Sequence, residues 1–260
     1  MCLVSLAYRV SKSYPLILAA NRDERHARPS AAASWWSDEP TVLGGRDLSA
    51  GGTWLAVDSS GRLGAVTNFL ESRPALAEKS RGSLVTDYLR GSQSVDTFTA
   101  GLANRTTDYG PFNLLLFDSD TLQYASNRAP SATLTDGVHS ISNGPRDSVW
   151  PKLNTASRGV EAALTLDDPQ AALFTLFTDA ASRSAVGTNH QDALFIMGPD
   201  YGTRCCTVLL IDREGHVSFA ERRFDSHGNL CGQSSYSFEI TQQQPSLHSD
   251  PRLSNDRAMR

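Results

Sequence analysis

The second residue of the chain, Cys2, has the type and position of an N-terminal nucleophile. A small residue after the initiator methionine permits removal of Met1, which would leave a cysteine that carries a free α-amine. An α-amine titrates near pH ~8 and a thiol near ~8.5, so the amine can act as the base for its own nucleophile. A cysteine in second position can equally be an ordinary packing residue, and position alone leaves both interpretations open.

A polar tetrad, Asn-Arg-Asp-Glu at residues 21–24, ends the second of two apolar runs, and the runs flank a Ser-Lys-Ser tripeptide at residues 11–13. This pattern predicts a β-hairpin. The start of its first strand lies beside the end of its second, so Cys2 and the tetrad should be close. A tetrad carboxylate or amide would then orient the Cys2 amine and thiol, with Arg22 lowering the thiol pKa or holding an anionic group. Alternatively, the tetrad is a solvated turn with local ion pairs.

Three more residues could stabilise developing charge. Asn68 ends a predicted strand and Asn143 lies in a Ser-Asn-Gly-Pro turn, so each could offer a side-chain amide to an oxyanion. Arg204 stands at a predicted strand start, where it could pair with a carboxylate. The alternatives are asparagines that cap turns and an arginine on the surface.

Composition bounds the class of protein. Over 260 residues, hydrophobic residues make up 40% and charged residues 20%, close to globular averages. The net charge is −4, and the Lys and Arg residues are scattered along the sequence, so there is no clustered basic patch of the kind that binds nucleic acid. No apolar stretch approaches the length of a membrane span, and Arg9 interrupts the N-terminal apolar run that a secretion signal needs. We expect a cytoplasmic protein with a small-molecule substrate or cargo, no nucleic-acid partner and no transmembrane segment.

The cysteines and histidines show no metal-binding pattern. Four cysteines in a chain of this length make no disulfide framework, and a reducing compartment fits best. Spacings of the CxxC or HExxH type are absent from the sequence. We therefore expect no metal.

The predicted strands occur mostly as hairpins, with helices grouped between them. Hairpins are predicted at residues 53–58 with 63–69, 112–118 with 122–126, and 203–212 with 216–223, and single strands at 137–143 and 235–240. Helices are predicted at 83–90, 95–104, 148–166 and 169–181. Residues 29–40 are predicted as an irregular packed loop, and residues 44–52 as a turn-rich segment.

This grouping favours an α+β fold of antiparallel sheets covered by helices over a doubly wound parallel fold. No repeat or composition shift marks a linker, so we expect a single domain over residues 1–241. Residues 242–260 have little to bury and are expected to form a mobile tail.

Nine short blocks, taken together in chain order, carry a specific resemblance. They are Asn21-Arg22-Asp23-Glu24, Gly44-Gly45-Arg46-Asp47, Gly51-Gly52-Thr53-Trp54, Thr67-Asn68-Phe69, Phe112-Asn113-Leu114-Leu115, Ser126-Asn127-Arg128, Ser142-Asn143, Trp150-Pro151-Lys152 and Tyr201-Gly202-Thr203-Arg204. The set resembles the NRDE family, that of the transport and Golgi organisation protein 2. Two adjacent cysteines, Cys205 and Cys206, stand where that family usually carries small hydroxyl residues.

The resemblance implies a four-layer α-β-β-α sandwich of the N-terminal nucleophile hydrolase type. A looser resemblance to the penicillin V acylase and bile salt hydrolase branch assigns Cys2 as nucleophile, Asn68 and Asn143 as oxyanion amides, and Arg204 as a late arginine of the site. Placing the branch's arginine and aspartate on the tetrad leaves Asn21, Arg22 and Glu24 as joint candidates. On that placement Asp23 is a weaker candidate than these three.

Two functions follow from the resemblance. One is an amidohydrolase that needs no cofactor and cleaves a linear C–N amide bond of a small or lipid-like substrate. The other is a non-catalytic carrier or chaperone of haem, lipid or acyl-CoA on the same fold, for which His139, Cys205 and Cys206 are the haem ligands to try. A structural role in secretion is a third, but no exposed helix seam, repeat or polybasic segment in the sequence supports it.

Overall fold

The computed structural model describes residues 2–70, 77–183, 189 and 191–241. In chain order the strands are β1 (Leu3–Tyr8), β2 (Leu16–Arg25), β3 (Ser30–Trp35), β4 (Val42–Asp47), β5 (Leu55–Asp58), β6 (Leu63–Asn68), β7 (Phe112–Asp118), β8 (Thr121–Ser126), β9 (Ala132–Thr133), β10 (Gly137–Ile141), β11 (Tyr201–Ile211), β12 (His216–Phe224) and β13 (Leu230–Glu239). The helices are α1 (Gly82–Arg90), α2 (Val95–Leu102), α3 (Pro151–Ala163) and α4 (Pro169–Thr178). The tail predicted to be mobile, residues 242–260, lies outside the described residues.

The strands form two antiparallel sheets. Sheet A has the order β10-β1-β2-β11-β12-β13, and sheet B the order β3-β4-β5-β6-β7-β8-β9. The β1–β2, β5–β6, β7–β8 and β11–β12 hairpins pair as the sequence predicts. Antiparallel ladders of this kind follow from short connections between consecutive strands.

Alternating side chains of each strand build a layered core. On β1 and β2, Leu6 and Leu18 belong to the apolar cluster between the two sheets, whereas Ile17 and Ala19 pack towards α3 and α4. On the far side of sheet B, α1 and α2 cover a third cluster. The layers therefore run helix, sheet, sheet, helix, which confirms the predicted α+β four-layer sandwich.

Local sequence signals begin the helices. Ser94 accepts a hydrogen bond from the backbone N–H of Thr97 at the start of α2, and Asp168 accepts one from Ala171 at the start of α4. Pro151 and Pro169 occupy first-turn positions, where a missing N–H costs nothing. The sequence thus specifies where the two helices over sheet A begin.

Two predictions about the segment before β5 were wrong. Residues 30–35, predicted as loop, form β3, and residues 42–47, which include the predicted turn glycines, form β4. These glycines serve close packing, since a Cβ on Gly44 would lie 2.7 Å from the Cβ of Ala56 and one on Gly45 would lie 2.4 Å from the Trp54 ring. Local propensity assigns these glycines to a turn, but they lie in a strand because the neighbouring residues leave no room for a Cβ atom.

The register of β2 with its neighbours determines which side chains meet at one end of sheet A. Leu3 of β1 pairs with Asn21 of β2, so Cys2 lies one residue further along, opposite Arg22. On the other side of β2, Thr203 pairs with Asp23 and Cys205 pairs with Arg22, with a bulge at the residue between. The bulge lets Thr203 and Cys205 face opposite sides of the sheet.

Among the described residues, no helix is long and apolar enough to span a membrane.

Candidate active site

Cys2 is half-buried at the end of sheet A and is held through two backbone contacts. Its carbonyl oxygen accepts a 2.7 Å hydrogen bond from the hydroxyl of Ser142, which is 2% exposed. Its thiol faces the backbone N–H of Asp23, a hydrogen bond that lowers the thiol pKa. The start of β1 and the tetrad are therefore close in space, as the hairpin predicts.

Burial dominates the ionisation of Cys2. It raises the pKa of the thiol above its ordinary value, and the negative charge of Asp23 raises it further. The backbone bond from Asp23 and the positive charge of Arg22 lower this pKa without reversing the rise. A nucleophilic role for the protonated thiol therefore requires a base.

Asp23 is a buried carboxylate on the same strand. Its Oδ1 accepts a 2.6 Å hydrogen bond from the hydroxyl of Thr203, which in turn accepts one from the backbone N–H of Ile196. Burial raises the pKa of Asp23 to about 6, while Thr203, Lys152 and Arg22 act to lower it. The resemblance favoured Asn21, Arg22 and Glu24 over Asp23, and in the structure the backbone N–H of Asp23 contacts the Cys2 thiol.

Lys152 lies on the helix that covers this end of the sheet. It is 1% exposed, and its Nζ lies 5.5 Å from the centre of the Trp150 ring. Burial lowers the pKa of Lys152, and the negative charges of Asp23 and Cys2 oppose that fall. The ammonium is therefore in the electrostatic range of both groups.

The two predicted asparagines are joined to Cys2 through one short segment. Asn143 is fully buried, and its Nδ2 donates a 2.6 Å hydrogen bond to the backbone oxygen of Asn68. Asn113 fixes the same segment by donating from Nδ2 to the carbonyls of Ser142 and Gly144 at 2.8 and 3.0 Å. Asn68 itself is exposed at the end of β6, so its side-chain amide lies on the solvent side of the residues around Cys2.

Arg22 fills the space between the sheets beside Cys2. It is 4% exposed, and its guanidinium lies 4.2 Å from the centre of the Trp54 ring. Its Nη2 is 3.7 Å from Oδ2 of Asp47, whereas its Nη1 is buried without a hydrogen-bond partner among the described residues. One buried donor of this cation is thus available to a ligand.

The other predicted site residues contact different partners. Asn21 donates from Nδ2 to the carbonyls of Phe177 and Leu194, both at 2.9 Å, on the helix side of sheet A. Glu24 accepts from the backbone of Arg25. Arg204, at the bulge, donates from Nη1 to three carbonyls of the loop after β2, those of Arg25, His26 and Arg28. These contacts fix local structure and do not reach Cys2.

The residues suggested as haem ligands are dispersed. Cys205 lines a cavity of about 140 Å³ with Trp54 and Glu221, while Cys206 packs in the cluster on the other face of sheet A. His139 is on β10, three strand spacings or roughly 14 Å away across the sheet. Within the described ranges, no group of three or more metal-ligating side chains comes together.

Comparison with known proteins places the chain among its relatives. The family model for Transport and Golgi organisation 2 matches residues 1–226. The chain belongs to this family. It is 32% identical to the Transport and Golgi organization protein 2 homologs of Bos taurus and Homo sapiens, over 85% of this chain and 92% of each relative. It is 27% identical to the Drosophila melanogaster protein over 83% of this chain and 89% of that one.

Two solved structures also share similarity with this Transport and Golgi organisation 2 member. One is a Caenorhabditis elegans N-acylethanolamine-hydrolyzing acid amidase ortholog, at a TM-score of 0.49 and 10% identity, covering 81% of this chain and 92% of that one. The other is the C2A mutant of conjugated bile acid hydrolase from Clostridium perfringens, at a TM-score of 0.45 and 10% identity, covering 92% of both chains.

Three residues near Cys2 in this Transport and Golgi organisation 2 chain were not singled out from the sequence: Ser142, Lys152 and Asn113. Each stands inside a motif block, but only Lys152 gives a separate signal. It occupies the stripe of α3 that continues through Ala156, Val160 and Ala163, all buried. A charged residue on an apolar stripe indicates a buried charge with a specific partner.

Proposed function

We propose that the protein is an amidohydrolase of the N-terminal nucleophile type, in which Cys2 cleaves a linear C–N amide bond of a small or lipid-like substrate after removal of Met1. The observation that supports it best is the position of Cys2. Its thiol meets the Asp23 backbone N–H and its carbonyl meets the Ser142 hydroxyl, one residue from the Asn143–Asn68 pair. The nucleophile and one candidate oxyanion donor, the Asn68 amide, then lie at one end of the sandwich.

The first step uses the α-amine as base. The amine takes the proton of the Cys2 thiol, and the sulfur attacks the amide carbonyl carbon, so that the carbonyl π electrons move to oxygen. The side-chain amide of Asn68 donates to this oxyanion, a contribution typically worth ~3 kcal/mol. Asp23, ionised above about pH 6, accepts a hydrogen bond from the protonated amine and orients it.

The second step releases the amine product. The tetrahedral intermediate collapses, the C–N bond breaks, and the leaving nitrogen takes the proton held by the α-ammonium. This leaves a thioester on Cys2. Water, deprotonated by the same amine, then attacks the thioester carbonyl and regenerates the thiol as the acid product leaves.

Hydrolysis of fluorogenic N-acyl amides with acyl chains of increasing length tests the proposal. Wild type should hydrolyse at least one chain length, and Cys2→Ala should reduce the rate to background. Cys231→Ala is the matched control, because Cys231 is also free and lies exposed on β13. Equal activity of wild type and Cys2→Ala would contradict the mechanism.

The haem carrier remains a separate hypothesis without a structural observation in its favour. His139 uses Nε2 in a 2.8 Å hydrogen bond with the Thr135 carbonyl, and it lines a cavity with Ile141, whereas Cys205 lines one with Trp54.

A further inference from the structure

The cavity of about 140 Å³ that Cys205 lines lies between the two sheets. Its walls come from both of them: Ala31 on β3, Trp54 just before β5, Cys205 on β11, and Glu221 and Arg223 on β12. Sites for small molecules are usually concave, with apolar walls and a few polar groups that fix the ligand. This cavity has that composition, so its polar groups decide what it can hold.

Glu221 is a buried acid with one unused oxygen. It is 1% exposed, and its Oε1 accepts a 2.9 Å hydrogen bond from the backbone N–H of Ala33 on β3. The thiol of Cys205, a weak donor, contacts the same carboxyl. Oε2 is buried and has no hydrogen-bond partner among the described residues. Because buried polar atoms are nearly always hydrogen-bonded, Oε2 is an acceptor available to a ligand.

Arg223 supplies a donor on the same wall. Its Nε lies 3.9 Å from Oε1 of Glu221, which is too far for a hydrogen bond, and it is buried without a partner within the described part of the chain. The guanidinium lies over β13 at Gly232, where an added Cβ atom would collide with it. The cavity therefore offers an unused acceptor and an unused donor side by side.

The charges around the cavity balance. Glu221 and Arg223 have opposite sign, and Arg22 pairs with Asp47 at 3.7 Å. Arg204, also on the wall, donates from Nη1 to three backbone carbonyls, whose dipoles compensate its charge. A charged ligand would thus enter a space in which each charge already has a partner, and its own desolvation would go uncompensated. A neutral ligand avoids this cost.

The cavity lies within reach of the nucleophile. Cys2 stands opposite Arg22 on one side of β2, and Cys205 pairs with Arg22 on the other side. Cys2 and Cys205 are therefore two strand spacings apart, which is roughly 10 Å. A substrate whose carbonyl carbon is at the Cys2 thiol can extend along this row of the sheet into the cavity.

We propose that the cavity holds the far end of the substrate's acyl chain, and that this end is a small neutral group with a hydrogen-bond donor beside an acceptor, such as a primary carboxamide. Its NH₂ donates to Oε2 of Glu221, and its carbonyl oxygen accepts from Nε of Arg223. The flat group lies beside the Trp54 ring. The inference rests on the proposed function, because Cys2 defines which end of the substrate is the far one.

Binding of small probes tests the cavity without any catalysis. Three compounds that share a CF₃ group are titrated by fluorine NMR: trifluoroacetamide, its N,N-dimethyl derivative, which has no N–H donor, and trifluoroacetate, which is charged. Trifluoroacetamide should bind saturably and at least about tenfold more tightly than either of the others. Equal affinity for all three, or a preference for trifluoroacetate, would overturn the proposal.

Two neighbouring residues of β12 give a matched pair of variants. Glu221→Gln replaces Oε2 by an NH₂ group that cannot accept, and it should weaken trifluoroacetamide binding about tenfold. Arg222→Met should leave binding unchanged, because Arg222 faces the other side of the sheet, 4.3 Å from the centre of the Phe174 ring. If Glu221→Gln does not fold, Ala31→Leu, which fills the cavity from the edge strand β3, should abolish binding. Unchanged binding in the variant that folds contradicts the site.

Hydrolysis supplies the last readout. Fluorogenic N-acyl amides of graded length are compared, with acyl chains that end in a carboxamide, a carboxylate or an isopropyl group of similar size. At one length, kcat/KM should favour the carboxamide at least about tenfold, and this preference should be lost in Glu221→Gln and kept in Arg222→Met.

The two proposals fail separately. Selective binding of trifluoroacetamide without any Cys2-dependent hydrolysis would overturn the proposed function alone. Cys2-dependent hydrolysis that shows no preference among the three chain ends would overturn the role of the cavity alone.

Discussion

The side-chain nitrogen of Asn143 lies 2.6 Å from the backbone oxygen of Asn68. Asn143 belongs to the segment after β10 of sheet A, and Asn68 ends β6 of sheet B, so this bond ties the two sheets together at the Cys2 end. It also separates the roles of two residues that look alike in the sequence. The side-chain amide of Asn143 donates to another residue of the protein, whereas the side-chain amide of Asn68 is exposed to solvent.

Replacement of the two asparagines should therefore have different effects. Asn68→Ala should lower kcat about 100-fold, as loss of an oxyanion donor does, with little change in the free energy of unfolding. Asn143→Ala should lower that free energy by about 1–3 kcal/mol, because the Asn68 carbonyl loses its buried donor. Chemical unfolding and steady-state kinetics of both variants measure the difference, and equal loss of stability would contradict the separation.

Ser142→Ala should mainly disturb the placement of the nucleophile. The variant removes the 2.7 Å hydrogen bond to the Cys2 carbonyl and should destabilise the fold by about 1 kcal/mol. We expect a larger loss in kcat than in substrate affinity, because the misplaced thiol affects the transition state. A variant that raises KM and leaves kcat unchanged would show that Ser142 serves substrate binding instead.

Asp23→Asn should reveal a stability cost of the ionised carboxylate. The pKa of Asp23 is raised from 3.8 to about 6, so this group stabilises the fold below its ordinary pKa, and that contribution is lost as pH rises through about 6. The asparagine does not ionise. The unfolding free energy of Asp23→Asn relative to wild type should therefore rise by up to ~3 kcal/mol between about pH 4 and pH 7. A difference in unfolding free energy that is constant with pH would show that the pKa of Asp23 is not raised in the folded protein.

Arg22 should control the reactivity of the Cys2 thiol. Its positive charge lowers the pKa of Cys2, so Arg22→Met should move the pH inflection of Cys2 alkylation by iodoacetamide to higher pH, by about half a unit or more. Arg62→Met is the matched control, since Arg62 is also buried and lies 4.1 Å from the centre of the Tyr88 ring. An equal shift in both variants would indicate a general loss of structure.

Much of the fold follows from alternation and turn chemistry. The β1–β2 hairpin and the β11–β12 hairpin show long apolar runs around short polar turns, and both form as predicted. The segment from β3 to β4 does not, because its alanines and glycines carry no strand signal. Gly45 is placed in a strand by the Trp54 ring that lies against it, a contact between residues that local pattern does not reveal.

Less of the candidate site than of the fold could be predicted from the sequence. The hairpin brings Cys2 to the tetrad, but which tetrad residue meets it depends on the register of β1 with β2. The bulge at Arg204 separately sets the partners of Asp23 and Arg22 on β11. The burial of Lys152 depends on how α3 lies over sheet A. Tertiary packing determines this burial. The one sign of it in the sequence is a charged residue on an otherwise apolar stripe of the helix.

Intact-mass analysis of the protein after incubation with an N-acyl amide that it hydrolyses is the sharpest test of catalysis by Cys2. Catalysis by Cys2 predicts a chain lighter by Met1, carrying one acyl group that maps to Cys2 and that is absent from Cys2→Ala. A chain that retains Met1, or an acyl group that maps to Cys231 with Cys2 unmodified, would contradict it.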